Sequence, residues 1–343
     1  IAVIRQWIDA GAPGPTAASD AAKKEEVALP TVKPTVPVHG AAAAVAFDPT
    51  TGRLVVGGYK AAHVMALDGR TWTRRLEGHA DLVRAVAFSP DGRRLAVAGG
   101  PSGRFGEIKI WDVAGTEAKV LTTIRGHADT ILAVAFAPDG VTLASASYDK
   151  LVKLWDAATG AERATLKEHS DAVYAVAFAP GGKLLLSAAG DRTIKVWDTV
   201  SGKRLLTIND PLDAVYSLAV HPSGERIAAA GADRMIRTWS LSAGPAPAAT
   251  LTASVFAHGD AVLGLAYAPD GSALVSAGAD RVIKVWDAVT LREKQLLEPQ
   301  PDWVLGLALS GDGRWLAAGR YDGTIGLYAL AAGASGEHFV VPR

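Results

Sequence analysis

Hydrophobic and polar positions form short runs along most of the chain, and these runs recur with a long period. One unit holds four runs, at Ile131 to Phe136, Leu143 to Ser147, Leu151 to Trp155 and Glu162 to Leu166. Turn residues separate the runs, as in the Ala-Pro-Asp-Gly segment that follows the first. Short apolar or alternating runs bounded by turn signals predict β-strands. The unit is therefore predicted to be a four-stranded antiparallel meander.

Four residue types recur at fixed spacing in three of these units. A histidine is followed by a serine at +18, an aspartate at +22 and a tryptophan at +28. In the predicted meander the imidazole, hydroxyl, carboxylate and indole N–H can form one chain of hydrogen bonds. The three sets, which we call the tetrads, are His127, Ser145, Asp149 and Trp155; His169, Ser187, Asp191 and Trp197; and His258, Ser276, Asp280 and Trp286.

The tetrads resemble those of the WD-repeat family, and the resemblance covers roughly residues 39 to 330. It implies an all-β, seven-bladed β-propeller with four antiparallel strands in each blade. First-strand signatures such as Val-Ala-Phe occur seven times, which agrees with that number of blades. The repeats are predicted to start near residues 39, 79, 127, 169, 211, 258 and 300.

Four of the seven repeats depart from the tetrad pattern. The second repeat also carries a glycine-rich insertion, GGPSGRFGE, in place of its turn. The residues at the tetrad places are Lys60 and Ala66 in the first repeat, His79 and Trp111 in the second, Pro211, Ala229, Asp233 and Trp239 in the fifth, and Gln300, Ala318, Asp322 and Tyr328 in the seventh.

The N-terminal residues do not follow the repeat. Residues 1–10 place Ile1, Ile4, Trp7 and Ile8 at helical spacing and are predicted to be the last helix of a missing upstream domain. Residues 11–30 have the composition of a flexible linker, and residues 31–343 are assigned to the propeller.

The string IRQWIDAGAPGP resembles the end of the cytochrome c-like domain that precedes WD repeats in some planctomycete bacterial proteins. This resemblance implies an upstream haem domain and a periplasmic location. Haem attachment needs cysteines, and the chain has none. We therefore expect no cofactor in this chain, and any haem would lie upstream.

Two segments can supply the fourth strand of the last blade. Residues 31–38 alternate valine with polar residues and precede the first repeat, while residues 337–341 follow Tyr328 at a suitable distance. We favour residues 31–38, whose prolines suit an outer edge strand.

Composition narrows the possible functions. Lys plus Arg equals Asp plus Glu at 35 each, which argues against nucleic acid as the main partner. The absence of cysteine excludes disulfides, thiol nucleophiles and thiolate metal sites. No apolar run approaches the length of a membrane span. Compartment and oligomeric state stay open.

A catalytic or metal-binding reading of the tetrads is disfavoured. A nucleophile site occurs once in a domain, whereas the His, Ser and Asp set occurs three times with a tryptophan each time. The repeated histidines fall on different blades and cannot share an ion, so no metal site is predicted.

The predicted propeller presents two rings of side chains at one mouth of its channel. The inner ring lies near the start of each first strand, and the outer ring lies before each turn aspartate. The inner positions are Ala43, Arg84, Leu132, Tyr174, Tyr216, Leu263 and Leu305; the outer positions are Tyr59, Tyr148, Gly190, Ala232, Ala279 and Tyr321, with Trp303 nearby.

Solvent-facing aromatic residues beside an arginine are typical of an interaction hot spot. The alternative is that several of them pack between blades. The predicted partner-binding residues are Arg84, Leu132, Tyr148, Tyr174, Tyr216, Leu263, Trp303, Leu305 and Tyr321.

The sequence thus predicts a non-catalytic scaffold that binds a protein or peptide at the channel mouth. The alternative function is an accessory module of a haem-containing periplasmic protein, which only the N-terminal string supports. A propeller enzyme is disfavoured because the inner ring offers no converging carboxylates or histidines.

Overall fold

The computed structural model describes residues 40–242, 244, 246–330 and 336–342. Its 28 strands form seven four-stranded sheets, and in every sheet the strands pair antiparallel in chain order. We call the sheets blades 1 to 7. The prediction of a seven-bladed propeller with four strands per blade is confirmed. The predicted N-terminal helix and linker lie outside the described residues.

The strands of the first four blades have the following bounds. Blade 1 holds β1 (Ala44–Phe47), β2 (Leu54–Gly57), β3 (Ala62–Ala66) and β4 (Thr71–Leu76); blade 2 holds β5 (Val83–Phe88), β6 (Arg94–Gly99), β7 (Gly106–Asp112) and β8 (Lys119–His127); blade 3 holds β9 (Ile131–Phe136), β10 (Thr142–Ser147), β11 (Val152–Asp156) and β12 (Glu162–Leu166); blade 4 holds β13 (Val173–Phe178), β14 (Leu184–Ala189), β15 (Ile194–Asp198) and β16 (Arg204–Ile208).

The last three blades complete the ring. Blade 5 holds β17 (Val215–Val220), β18 (Arg226–Gly231), β19 (Met235–Leu241) and β20 (Ala249–Phe256); blade 6 holds β21 (Val262–Tyr267), β22 (Ala273–Gly278), β23 (Ile283–Asp287) and β24 (Glu293–Leu296); blade 7 holds β25 (Val304–Leu309), β26 (Trp315–Arg320), β27 (Thr324–Ala329) and β28 (Glu337–Val340).

The hydrophobic core lies between the blades. The described residues form seven apolar clusters, and each cluster joins two successive blades. Every residue of β10 is buried, because a second strand is covered on both faces by neighbouring blades. Burying one Val, Leu or Ile side chain contributes roughly 1.5–3 kcal/mol, so these clusters supply much of the stability.

Blades 7 and 1 close the ring. Val45 and Phe47 of blade 1 share an apolar cluster with Ile325 and Leu327 of blade 7. The backbone amide of Ala42 also donates to the carbonyl of Arg320 at 2.9 Å. The ring is therefore closed by packing of the same kind as at the other six junctions.

Polar contacts add to this closure. The Arg70 guanidinium of blade 1 lies 2.9 Å from the Glu337 carboxylate on β28 and stacks 4.6 Å from the centre of the Trp315 ring. Both partners belong to blade 7. The pair is partly exposed, so it contributes little beyond orientation of β28.

The fourth strand of blade 7 comes from the C-terminal segment. Glu337 pairs with Leu327 and Phe339 with Ile325 across the β27–β28 ladder. The preference for residues 31–38 as this strand was therefore wrong, and those residues lie outside the described part of the chain. Both segments have a suitable apolar pattern, so alternation alone does not separate them. Packing distinguishes the two segments, since Val341 of the C-terminal segment is buried in the cluster shared with blade 1.

The tryptophan place of blade 1 is also corrected. In blade 3, Leu143 pairs with Trp155, and the equivalent partner of Leu54 in blade 1 is Met65 rather than Ala66. The connection between β2 and β3 is one residue shorter than in blade 3, which shifts both assignments. Lys60 has the positive φ of Lys150, so Tyr59, and not Lys60, stands at the aspartate place. The Met65 side chain is fully buried and fills the place of the indole.

Candidate functional site

Each tetrad forms the chain of hydrogen bonds that its spacing suggests. In blade 3 the Trp155 Nε1–H donates to Ser145 Oγ at 2.7 Å, and Ser145 Oγ lies 2.7 Å from His127 Nε2. His127 Nδ1 lies 2.8 Å from Asp149 Oδ2. With a neutral histidine carrying its proton on Nδ1, every group donates to the next, from indole to carboxylate. The other two tetrads repeat this arrangement at 2.7–3.0 Å.

The surroundings of Asp149 favour its charged form, and those of His258 favour its neutral form. Burial raises the pKa of Asp149, but hydrogen bonds from His127 and from the backbone amides of Ala128 and Leu151 outweigh it, and the net pKa is lowered. Burial lowers the pKa of His258, against the opposing charge of Asp280.

The tetrad serines have no access to a substrate. Ser145, Ser187 and Ser276 are each 0% exposed, and each hydroxyl is held between an indole and an imidazole. A nucleophile needs an open side towards its substrate. The geometry thus gives the tetrads a structural role.

Blade 2 keeps the histidine and tryptophan but loses the hydroxyl between them. Val97 occupies the serine position, and neither His79 Nε2 nor Trp111 Nε1 has a hydrogen-bond partner among the residues that the structure describes. Burial lowers the pKa of His79 to about 4, and Lys109 adds to this effect. The buried Glu107 carboxylate takes the place of the missing aspartate, because it accepts the amide of Ala80 at 3.3 Å.

Blade 5 replaces the tetrad by two separate pairs. Trp239 Nε1 donates to Asp210 Oδ2 at 2.7 Å, and Arg237 forms an ion pair with the turn carboxylate of Asp233. Asp210 precedes Pro211, which stands at the histidine place. The sequence pattern did not reveal this substitution, since Asp210 is one residue out of register.

Blade 7 builds its network around a buried arginine. Arg320 is 0% exposed and donates to Gln300 Oε1 from Nε at 3.0 Å and from Nη2 at 2.7 Å. It also donates to Tyr328 OH at 2.9 Å and to Thr324 Oγ1 at 3.0 Å. Thr324 in turn donates to the turn aspartate Asp322. Sequence reasoning missed Arg320 because no other repeat carries a cation there.

The channel mouth is lined by residues from all seven first strands and encloses about 190 Å³. Blade 1 contributes Ala44 and Val45, rather than the predicted Ala43. The predicted residues that line the channel are Arg84, Leu132, Tyr174, Tyr216, Leu263 and Leu305.

Three of the predicted aromatic residues form a continuous row across blades 3, 4 and 5. The Tyr148 and Tyr174 rings meet edge to face with centres 6.0 Å apart. Tyr174 and Tyr216 meet in the same way at 4.9 Å. Tyr148 is 40% exposed, while Tyr174 and Tyr216 are half-buried. We call these three residues the tyrosine row.

A second aromatic pair lies on blade 7. The rings of Trp303 and Tyr321 have centres 5.8 Å apart, and the side chains are 48% and 58% exposed. Tyr59 of blade 1 is also exposed, but no ring contact within the described residues joins it to this pair. The mouth therefore presents two separate aromatic areas.

Two members of the tyrosine row, Tyr174 and Tyr216, have raised pKa values and keep their hydroxyl groups protonated. Burial raises the pKa of Tyr174 to about 12, and the neighbouring Tyr148, Tyr216 and Asp171 act in the same direction. Burial and the charge of Asp213 raise the pKa of Tyr216. Two carboxylates thus lie close enough to influence the row.

These two carboxylates belong to a repeated set that sequence reasoning passed over. In blades 2 to 7 an aspartate stands two residues before the first strand, and its Oδ1 accepts the amide of the next residue at 2.6–2.8 Å. The signal was present in the sequence as a repeated Asp-x-Val or Asp-x-Ile. The set, which we call the mouth aspartates, is Asp81, Asp129, Asp171, Asp213, Asp260 and Asp302.

Two further cavities occur away from the mouth. One of about 480 Å³ lies between blades 1 and 7 beside Arg70 and Trp315, and one of about 800 Å³ lies between blades 4 and 5 beside Leu184 and Leu241. In the part of the chain that the structure describes, no three His, Asp or Glu residues are grouped as metal ligands. The same residues contain no helix that is long and apolar enough to span a bilayer.

A closed ring of seven four-stranded sheets around a channel is a β-propeller. The sequence profile described as "WD domain, G-beta repeat" matches more than half of the chain, so the chain belongs to the WD-repeat family. The matched segments are residues 70–112, 118–156, 160–198, 202–240, 249–287 and 292–328. None of the curated proteins compared with the chain matches it.

The matched segments are offset from the blades by one strand. Each contains the outer strand of one blade and the first three strands of the next. The strands left unmatched are β28 and β1 to β3, which together make up a seventh unit divided between the two ends of the propeller. This unit lies at the junction that closes the ring. Propellers of this family generally act as protein-interaction scaffolds.

Proposed function

We propose that this propeller is a non-catalytic scaffold that binds a peptide or protein through its channel-mouth face. We define this face by Arg84, Leu132, Tyr148, Tyr174, Tyr216, Leu263, Trp303, Leu305 and Tyr321. The observation that carries the proposal is the tyrosine row, in which Tyr174 contacts both Tyr148 and Tyr216 and in which Tyr174 and Tyr216 line the channel.

The chemistry of the face supports this proposal. Tyrosine and tryptophan offer large apolar area with a polar tip and lose little conformational entropy on binding. The edge-to-face contacts also hold the tyrosine rings in place before a partner arrives. Leu132, Leu263 and Leu305 extend the apolar surface around the channel.

The lining of the channel disfavours catalysis. The side chains around the cavity are aliphatic, tyrosine or serine, together with Arg84. No histidine or carboxylate is among them to act as a general acid or base. We therefore assign binding, and not chemistry, to this site.

The test is a selection of short random peptides displayed on phage. The wild-type chain, a Tyr174→Ala/Tyr216→Ala variant and a Val200→Ala/Val289→Ala variant are used as targets. Val200 and Val289 are exposed in turns on the opposite face and provide the matched control. We expect peptides that bind the wild type and the control alike, and that lose roughly tenfold or more in affinity for the tyrosine variant. Equal binding to all three targets, with unchanged thermal unfolding, would remove the face from consideration.

The haem-associated alternative rests on the N-terminal string IRQWIDAGAPGP. Under this alternative the propeller would position a partner for an upstream cytochrome c-like domain in the periplasm. A Cys-x-x-Cys-His motif encoded upstream would support it, and the absence of such a motif there would end it.

A further inference from the structure

The mouth aspartates add negative charge beside the tyrosine row. Each uses Oδ1 to accept a backbone amide, and its Oδ2 has no hydrogen-bond partner among the described residues. None of the six forms an ion pair within 4.0 Å in the same part of the chain. Asp171, Asp213 and Asp260, on blades 4, 5 and 6, are exposed.

The simplest explanation is that these aspartates only stabilise the turns before the first strands. Asparagine supplies the same Oδ1 acceptor and suits the same turns. Six aspartates instead place six like charges around one opening, and their mutual repulsion costs stability. Turn formation therefore explains the Oδ1 hydrogen-bond acceptor at these positions, but it does not explain why the side chain is negatively charged.

Within the described residues, the basic side chains in the turns between second and third strands form no ion pair with the mouth aspartates. Lys60, Lys150, Arg192, Arg234 and Arg281 lie in the turns between second and third strands, which are farther from the channel than the first strands. The Arg234 guanidinium donates to the carbonyl of Gly259, at 3.3 Å, rather than to a carboxylate.

Among the described residues that line the channel, Arg84 is the one cationic side chain, and its place in the ring makes the charge of the mouth uneven. Arg84 belongs to blade 2, which lies three blades away from both blade 5 and blade 6. Asp213 and Asp260 on those blades are thus opposite Arg84, on the side where the tyrosine row ends. A positively charged guest would be repelled from blade 2 and attracted towards blades 4 to 6.

We propose that the partner presents a lysine or arginine side chain, which binds beside Tyr174 and Tyr216 between the carboxylates of Asp171 and Asp213. This inference rests on the proposed function and specifies the chemistry of its ligand. The ring faces provide cation–π attraction, and the carboxylates provide charge. Asp171 and Asp213 each precede the tyrosine of the same blade by three residues, and both carboxylates are exposed.

The test uses peptides from the same selection, carried out on the full chain at low ionic strength. Peptides that bind the wild type but not the Tyr174→Ala/Tyr216→Ala variant are sequenced, synthesised and measured by fluorescence anisotropy. We expect them to be enriched in lysine or arginine over the unselected library. Replacing that residue with glutamine should lower affinity roughly tenfold, and separate lysine and arginine versions show which cation is preferred.

A pair of protein variants provides the matched comparison. Asp171→Asn/Asp213→Asn keeps the Oδ1 acceptors and removes two charges. Asp139→Asn/Asp270→Asn makes the same change in turns of the opposite face, where both aspartates also accept backbone amides. We expect roughly tenfold weaker binding in the first variant and little change in the second. The loss should not add to that of the glutamine peptide, because both remove one interaction.

Two results overturn the inference, and they are distinguishable. If the tyrosine-dependent peptides lack enrichment in cations, or bind the Asp171→Asn/Asp213→Asn variant as tightly as the wild type, the cationic ligand is wrong while the binding face stands. If no selected peptide depends on Tyr174 and Tyr216, the proposed function fails as well.

Discussion

Blades with a complete tetrad and blades with a substituted one solve the same packing problem differently. In blades 3, 4 and 6 four side chains pair in one chain of hydrogen bonds with nearly identical distances. Blades 5 and 7 use other residues, yet Trp239 and Arg320 still find partners. In blade 2, His79 and Trp111 do not. The comparison teaches that the residue types can vary, and that blade 2 also folds around unpaired buried atoms, which we expect to lower its stability.

The largest expected effect comes from breaking the blade 7 network. Gln300→Leu removes the acceptor of two Arg320 nitrogens and of the Tyr328 hydroxyl. It leaves a buried cation short of partners, and we expect the free energy of unfolding to fall by about 3–5 kcal/mol. Urea unfolding measures this loss. Gln300→Glu keeps the acceptor atoms, so its free energy of unfolding should fall much less. Equal losses for both variants would show that the hydrogen bonds to residue 300 do not determine the stability of blade 7.

The second prediction concerns a variant of blade 4 that lacks the hydroxyl between histidine and tryptophan, as blade 2 does. Ser187→Ala leaves His169 Nε2 and Trp197 Nε1 buried without partners. We expect a loss of about 2–4 kcal/mol in the free energy of unfolding, measured in urea. Ser170→Ala, at an exposed position just before the first strand of the same blade, is the control and should change stability by about 0.5 kcal/mol or less. An equally small loss for Ser187→Ala would contradict the conclusion that unpaired buried polar atoms lower the stability of a blade.

The third prediction concerns pH. Burial lowers the pKa of His79 from 6.5 to about 4 in the folded protein, so between these values the unfolded chain binds a proton that the folded chain does not. Stability therefore falls as pH decreases through this window, by at most about 1.4 kcal/mol per pH unit from this group. Urea unfolding at several pH values should give a shallower dependence for His79→Gln than for the wild type. Identical slopes would mean that His79 is protonated when folded.

The smallest expected effect is an increase in stability. Val97→Ser places a hydroxyl between His79 and Trp111, whose ring centres lie 6.0 Å apart, close to the 6.1 Å of the paired rings in blade 3. Pairing two buried groups contributes about 2–4 kcal/mol, and loss of the valine methyl groups costs about 1–2 kcal/mol. We expect a net stabilisation of about 1 kcal/mol, seen as a higher melting temperature.

Ala229→Ser in blade 5 is the control for this gain. It adds a hydroxyl at the same place in the repeat, but Pro211 stands at the histidine position and Trp239 is already paired. The control should gain nothing. A gain in both variants, or in neither, would contradict the role given to the missing hydroxyl.

The sequence predicts the repeated parts of this molecule well and the exceptions poorly. The tetrads were predictable because a hydrogen-bond chain needs particular residue types at constant spacing. The hydrogen-bond partners in the substituted blades could not be predicted from spacing, because Glu107, Asp210 and Arg320 lie outside the tetrad register. Only the folded chain brings them to the buried polar atoms. The closing strand was assigned wrongly because two segments had suitable patterns.

The channel-mouth positions were predictable for a related reason. They follow from the register of the first strands, so the lining of the channel agreed with prediction in six blades and differed only in blade 1, at Ala43. The contacts within the tyrosine row depend on blade spacing, which a linear pattern does not contain. The mouth aspartates were overlooked because aspartate before a strand has an ordinary explanation as a turn residue.

The binding role of the channel-mouth face is the central claim, and hydrogen–deuterium exchange with a selected peptide tests it most directly. We predict that bound peptide slows exchange at the starts of β9, β13 and β17, beside the tyrosine row, and leaves the opposite-face turns around Val200 and Val289 unchanged. Protection confined to those opposite-face turns, with unchanged exchange beside the tyrosine row, would contradict the claim.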